Sequence, residues 1–440
     1  MTRGRVAYLM SRFPHLPETF ILREMDELER QGWEVQLYPL LRPSPPVMHA
    51  AARRWLTRVQ PLPRFSPDVL AAHLAQLRRA PGRYAAVAGR AFGENLASPN
   101  FLVRAVALWP QAVYAARRMQ QQGIQHLHAH YATHPALVAW LIHRLTGLSY
   151  SLTVHAHDIF VRHTMLATKL RAAAFVVAIS EYNRQYLAQV VGAWVRAKTH
   201  VIHCGIDPAQ YAPRPRERER GARFEVLTTG SLQAYKGQAV LVQACAQLRA
   251  QGIPVHCRLI GGGEERSRLE RQIAALRLTG VVELVGAQPQ EVVAELLPTA
   301  DCYVQPSIRL RSGKMEGIPV SLMEAMASEV PVVASALSGI PELVREGETG
   351  RLVPPGQAAR LAEVLGEVYA DPAGAARQAQ AGRALVLREF DLQANVAQLS
   401  RLFEQVVVQA HTIPAPDALP VPLQTWVPGQ AEAGRSSREL

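Results

Sequence analysis

The sequence predicts an α/β protein built from two doubly wound, parallel-sheet domains, and three observations carry that expectation. A strand, helix, strand pattern opens the chain over residues 5–38. A second pattern of the same kind starts at Phe224, beyond a proline- and arginine-rich linker at 207–223. At 440 residues the chain exceeds an ordinary single domain, so two domains of about 200 residues each are expected. With 48% of residues apolar, each can bury a sizeable core.

Composition narrows the class. Cys204, Cys245, Cys257 and Cys302 show no metal-ligand spacing, which fits a reducing cytoplasm and argues against a disulfide framework or a zinc site. No apolar run is long enough to cross a membrane, and the opening apolar stretch is too short for a secretory signal, so the expected location is cytoplasmic. Charge is lopsided: residues 1–200 hold 24 basic and 10 acidic side chains, residues 201–440 hold 24 and 26. A basic first half is expected to face an anionic partner, either nucleic acid or an anionic membrane surface. The competing reading is a solvated, arginine-rich surface.

In chain order, residues 5–10 form the first strand. Residues 19–31 follow as a helix with Phe20, Ile21, Met25 and Leu28 on one face and Gly32 as its stop, and 33–38 as the second strand. The loop between them, with Glu18 and Thr19, lies at a strand end, where such sheets bind ligands. It lacks a dinucleotide-binding glycine fingerprint, which argues against an oxidoreductase. Residues 43–120 read as helices with breaks near Pro61, Pro81 and Pro110. Their mix of basic and apolar residues, including Trp55, Leu56, Phe65, Leu70 and Leu74, suits lipid headgroups as well as ordinary helix packing. Two strands follow at 124–131 and 149–155, gathering His126, His128, His130, His155 and His157 near their ends. Strand alternation and the lack of an acidic cluster argue against a metal. His130 and His155 are read as hydrogen-bonding groups facing a cleft, with Asp158 as a neighbour able to orient or charge an imidazole.

The second half repeats the pattern. After the strand at 224–229, the turn from Gly230 and Ser231 to Lys236 and Gly237 opens a helix and reads as a phosphate grip. A second glycine turn, with Gly261 and Gly263, follows the strand at 255–260. Strands at 301–305 and 331–335 flank a loop and a helix that carry Glu316 and Glu324, eight positions apart. Pro319 suits the first helical turn, Leu322, Met323, Ala325 and Met326 give the helix an apolar body, and Glu316 sits at its mouth. A helix mouth favours a diphosphate, and flanking carboxylates accept hydrogen bonds from hydroxyls, Glu316 from a sugar and Glu324 from a ribose. For the pair alone, an ordinary amphipathic helix with two solvated glutamates competes. Residues 388–409 read as a final amphipathic helix, and 412–440 as a disordered tail.

Pro306 and Ser307, Glu316 and Gly317, Glu324 to Ala327, residues 331–335 and Gly339 to Val344 together resemble the donor-binding signature of family 4 glycosyltransferases. These are retaining, metal-independent enzymes of the GT-B fold. Residues 11–20 resemble the opening of the bacterial exopolysaccharide (colanic-acid-type) branch, and the resemblance spans about residues 5–410. It implies an acceptor-binding first domain over 1–207, completed by a C-terminal helix at about 388–410, and a donor-binding second domain over 208–387. It assigns Glu316 to the transferring sugar, Glu324 to the ribose and Lys236 to the diphosphate. His155 is placed close to the sugar, and His128 and His130 match a related strand end. By the same resemblance Glu316, His155 and Lys236 are the catalytic candidates. Gly230, Ser231, Gly261, Gly263, Val285, Gly317, Ile318 and Val320 fall on the donor side, and Glu18, Thr19, His130, His157 and Asp158 on the acceptor or cleft side.

Two positions depart from the family pattern: Ser231 stands where Arg is usual and Cys204 where Asn is usual, with Lys314 or Arg309 as candidate replacements for the missing cation. The implied co-substrate is a nucleotide-diphosphate sugar, with no cofactor and no metal. The implied acceptor is a saccharide on a polyprenyl diphosphate, reached by peripheral contact with the anionic inner face of the membrane and without nucleic acid. Alternative readings on the same fold are a nucleotide-sugar epimerase, a sugar phosphorylase or a non-catalytic polysaccharide-assembly subunit.

Overall fold

The structure, a computed structural model, describes residues 2–14, 19–42, 50–213 and 223–412. Glu18, most of the linker and the tail from residue 413 lie outside the described residues. Two six-stranded parallel sheets make up the core. The first contains β1 (Gly4–Arg12), β2 (Trp33–Leu41), β3 (His126–His130), β4 (Tyr150–Val154), β5 (Val176–Ala178) and β6 (Thr199–Val201), in the order β2-β1-β3-β4-β5-β6. Every residue of β3 and β4 is buried, as expected for parallel strands covered by helices on both faces.

The second sheet contains β7 (Phe224–Thr229), β8 (Val255–Ile260), β9 (Val282–Gly286), β10 (Cys302–Gln305), β11 (Val332–Ser335) and β12 (Arg351–Val353), in the order β12-β11-β10-β7-β8-β9. All strands run parallel, but the order in which the chain adds them reverses between β1 and β3 in one sheet and between β7 and β10 in the other. Such reversals open a crevice at the carboxyl ends of the strands, the place where open α/β sheets bind ligands. The loops that follow β7 and β10 therefore meet at one crevice.

The end of the chain joins the domains. Helix Pro372–Glu389 stops, and after a short break helix Leu392–Thr412 forms the final helix expected over 388–409, starting four residues later than expected. At the break the Ile206 amide donates to the Phe390 carbonyl at 3.0 Å, and the Leu392 amide to the Ile206 carbonyl at 2.9 Å. Leu392, Val396, Leu399 and Phe403 then pack with Val6, Tyr8, Trp33 and Phe175 of the first domain. The Trp33 indole nitrogen donates to Ser400 Oγ at 2.8 Å.

One expectation for residues 43–120 is corrected, and for Trp55 the packing alternative holds. Helix Pro99–Gln121 runs through Pro110 without a break. The missing amide of a helical proline costs a hydrogen bond, and here Trp109, Ala112, Val113 and Ala116 hold the helix to the core on either side of it. Trp55 faces inward, fully buried, its indole nitrogen donating to Asp26 at 2.8 Å. Leu56, Phe65, Leu70 and Leu74 are exposed. Among the described residues, no helix is long and apolar enough to cross a membrane.

Candidate active site

The crevice of the second sheet is shaped by backbone contacts. Gly237 has φ +73°, a left-handed conformation, and a β-carbon there would lie 1.8 Å from the Pro306 carbonyl oxygen. The loops after β7 and β10 are thereby in contact. Gly261 packs equally tightly on the Gly230 carbonyl, and Gly263 on Leu232. Lys236, one residue before Gly237, projects its ammonium beside Gly230 and pairs with Glu316 at 3.1 Å from Oε1 and 2.9 Å from Oε2.

Each partner's side chain is 13% exposed. Burial works against the Lys236 charge, but the Glu316 carboxylate more than offsets it, so the ammonium pKa is raised and the group is charged at neutral pH. Glu316 Oε2 is buried and accepts no hydrogen bond of good geometry among the described residues. A buried carboxylate oxygen with spare acceptor capacity is costly unless a ligand completes it. Together the two groups offer a cation to a phosphate and an acceptor to a hydroxyl.

Glu316 is held at the domain boundary. Ser338 Oγ donates to its carbonyl at 2.6 Å and to that of Gly317 at 3.0 Å. A β-carbon on Gly317 would lie 2.9 Å from Ile179 Cδ1 and 3.4 Å from the His155 carbonyl oxygen, so this peptide lies against the end of β4. Ile318 is buried beside it. Pro319 caps the helix Val320–Ala327 rather than occupying its first turn, and Val320 is its half-buried first residue. Val285 is half-buried on β9, whose last carbonyl, at Gly286, accepts from the Gly261 amide at 2.8 Å. Ser231 offers no cation. Lys314 does: its ammonium lies 4.5 Å over the Tyr235 ring and donates to Gln233 Oε1 at 2.9 Å, against the same turn.

Glu324 has partners that sequence reasoning missed. Its Oε1 accepts from Tyr211 Oη at 2.7 Å and from Arg23 Nη2 at 3.0 Å, and Gln290 donates to Tyr211 Oη at 2.6 Å. Arg23 belongs to helix Thr19–Arg30 of the first domain, so this ion pair spans the cleft. Burial lowers the guanidinium pKa, and the Glu324 charge reverses that shift. A second tie is the Glu342 carboxylate, which accepts from the amides of Glu181 at 2.8 Å and Tyr182 at 2.9 Å and so caps helix Glu181–Val191 across the boundary. No local signal marks Arg23, Tyr211 or Gln290, because each meets its partner from a distant part of the chain.

The histidines form a ladder rather than alternating between faces. His126, His128 and His130 occur at every second position of β3 and share one face. His126 bridges Ser149 and Ser151, and His128 bridges Ser151 and Thr153, all at 2.7–2.9 Å. His130 continues through Nδ1 to His155 Nε2 at 3.1 Å and through Nε2 to Glu24 Oε1 at 3.1 Å. Burial lowers the pKa of His126 to about 3, and burial with neighbouring imidazoles holds His128 and His155 well below the usual histidine value, so these rings are neutral.

Glu24 supplies the carboxylate that the sequence did not place near the imidazoles. Ligand atoms of Glu24, His128 and His130 come within 4.8 Å of one another. Each nitrogen of His128 and His130 also lies within hydrogen-bond distance of a hydroxyl, carboxylate or imidazole. Asp158 does not orient an imidazole. Its carboxylate accepts from the backbone amides of Ala132, His155 and Ala156 and fixes the turn after β4. His157 is exposed, with its ring 5.2 Å from Tyr131. Thr19 is half-buried at its helix start, next to Phe20, whose ring lies 5.0 Å from His155.

Comparison with known proteins bears on the family and the fold. Residues 212–385 match the family described as glycosyl transferases group 1, and residues 79–210 match glycosyltransferase family 4. WcaL of Salmonella typhimurium, named as a colanic acid biosynthesis glycosyltransferase, is 29% identical over 416 residues, covering 91% of this chain and 100% of its own. The amylovoran biosynthesis glycosyltransferase AmsK of Erwinia amylovora is 36% identical over 209 residues, covering 48% of this chain and 51% of its own. Among solved structures, Anabaena Alr3699/HepE in complex with UDP superposes with a TM-score of 0.67 at 18% identity, over 91% of this chain and 100% of that one. Sucrose-phosphate synthase from Thermosynechococcus elongatus superposes with the same TM-score at 21% identity, over 92% and 100%. At these identities the structures speak for the fold.

Proposed function

The chain belongs to the family 4, group 1 glycosyltransferases, and from that premise we propose that it moves a sugar from a nucleotide-diphosphate sugar to a growing, lipid-linked saccharide in exopolysaccharide biosynthesis. Transfer retains the anomeric configuration and uses no metal. The observation that carries this reading is the largely buried Lys236–Glu316 pair at the point where the strand order of the second sheet reverses. Sugar transfer builds negative charge on the leaving diphosphate, and a preorganised ammonium in a water-poor crevice stabilises that charge as a divalent ion otherwise would. Glu316 Oε2 accepts from a hydroxyl of the transferring sugar. Glu324, bonded to Arg23 and Tyr211 through Oε1, keeps Oε2 for the ribose.

Supplied with its nucleotide sugar and a polyprenyl-diphosphate-linked saccharide in the presence of EDTA, the protein is expected to form a product with the donor's anomeric configuration, read by proton NMR. Inversion, or loss of turnover in EDTA with recovery on adding a divalent cation, overturns the mechanism.

The acceptor side is proposed to work on an anionic leaflet. Phe65 is 91% exposed, and Leu70, Leu74 and Leu77 form an exposed stripe on helix Pro67–Arg79, beside exposed Arg64, Arg78 and Arg79. Each arginine near such a surface contributes on the order of 1 kcal/mol, screened by salt. The protein is therefore expected to sediment with anionic vesicles at low salt, release at high salt and ignore neutral vesicles. Equal binding to both vesicle types, or to neither at any salt, removes the docking reading.

A further inference from the structure

Behind His155 runs a short polar chain that the reaction as described does not use. Tyr8 Oη lies 2.7 Å from Glu24 Oε1, the same oxygen lies 3.1 Å from His130 Nε2, and His130 Nδ1 lies 3.1 Å from His155 Nε2. The histidine rings are buried, and the two imidazoles stack with centroids 5.4 Å apart. We propose that Glu24 is a positioning residue that fixes the tautomer of His155 through His130, so that His155 meets the transferring sugar with Nδ1 as a hydrogen-bond acceptor. The proposal rests on the reading of His155 as a neighbour of that sugar.

The logic is one of donors and acceptors. An ionised carboxylate only accepts, so both groups at Glu24 Oε1 must donate to it. Tyr8 can, since burial and the Glu24 charge hold its phenol pKa well above the usual value and keep it protonated. His130 must then carry its proton on Nε2. With a single proton on the His130 ring, as the proposal has it, Nδ1 is bare, and a bare Nδ1 facing His155 Nε2 requires a proton on that nitrogen. His155 is neutral, so its remaining nitrogen, Nδ1, carries the lone pair. One carboxylate thus sets the polarity of an atom two rings away.

Other polar groups nearby do not compete for this role. His128 meets His130 edge-on at 5.1 Å but has both nitrogens on Ser151 and Thr153. Asp158 spends its carboxylate on backbone amides, and Arg23, next to Glu24 in sequence, is paired with Glu324. The Cys204 thiol is pushed up to about 12, chiefly by burial and then by Glu24, and stays neutral. A sugar hydroxyl facing His155 Nδ1 is therefore bound as a donor, and a substrate that offers only an acceptor there is rejected.

The test uses protein labelled with nitrogen-15 at histidine, without substrate, so it stands apart from any failure of the transferase reading. Wild-type His155 is expected to show a protonated Nε2 and a bare Nδ1 in a single form. In Glu24→Leu, which keeps bulk and loses the acceptor, His155 should become a mixture of both tautomers. With the donor sugar, the same variant should lose about tenfold in kcat, the scale of one misplaced hydrogen bond, with KM for the donor little changed. A protonated Nδ1 in the wild type overturns the proposal without need of any variant. So does an unchanged single tautomer in Glu24→Leu, or a loss confined to KM.

Discussion

Replacing Lys236 with methionine is expected to lower kcat/KM by about 10²–10³-fold, the range found when one preorganised donor to a developing anion is removed. Methionine keeps most of the length and the apolar packing of the side chain, so the change isolates the charge. Most of the loss should fall on kcat, because the diphosphate carries more negative charge in the transition state than when joined to the sugar. The substitution also leaves the Glu316 carboxylate buried without its cation, at 2.9 Å from where the ammonium stood. A stability loss of about 1–3 kcal/mol is expected from that alone, read by denaturant unfolding. Full turnover in the folded variant would show that the leaving group is stabilised elsewhere, with Lys314, which packs against the same turn from the loop after β10, as a candidate.

Glu316→Gln is expected to cost about 10–100-fold in kcat/KM, the kinetic equivalent of losing one charge-assisted hydrogen bond. Shape is conserved, and the amide oxygen can still accept from Lys236. What disappears is the second anionic oxygen, now buried without a well-formed partner and available to the sugar. Glutamine puts an amide donor in that place, which opposes a hydroxyl that must itself donate. The nucleotide alone should bind nearly as before, since the change falls on the sugar side. Turnover within threefold of wild type in folded protein would remove Glu316 from the sugar site.

How much of this was legible in the sequence depends on the range of each signal. The parallel sheets were legible because hydrophobic runs, helix stops and glycine turns are local, and the strands at 224–229, 255–260, 301–305 and 331–335 announce themselves within a few residues, whereas the three-residue β12 does not. The Glu316 loop and the Lys236 turn were legible as motifs, although 80 positions separate their contact. Arg23 and Glu24 were not. They sit inside an amphipathic helix, where charged residues on the outer face are ordinary, and only the fold brings Arg23 to Glu324, 301 positions away, and Glu24 to His130, 106 positions away. Asp158 was misassigned because a carboxylate beside histidines in sequence looks like their partner, whereas the tight turn after β4 presents backbone amides first. Pro110 was read as a break because a proline's local cost is visible in sequence and the burial that offsets it is not.

The central claim, that the crevice holding Lys236 and Glu316 binds a nucleotide-diphosphate sugar, is tested most directly by thermal unfolding of the purified protein against a panel of such sugars. A ligand at one hundred times its Kd stabilises the folded state by about 2.7 kcal/mol, so the true donor should raise Tm in a concentration-dependent way. At least one nucleotide-diphosphate sugar is expected to do so in the wild type, with the shift largely lost in Lys236→Met. A panel in which none shifts Tm up to millimolar concentration, or a shift that survives unchanged in Lys236→Met, would contradict the claim.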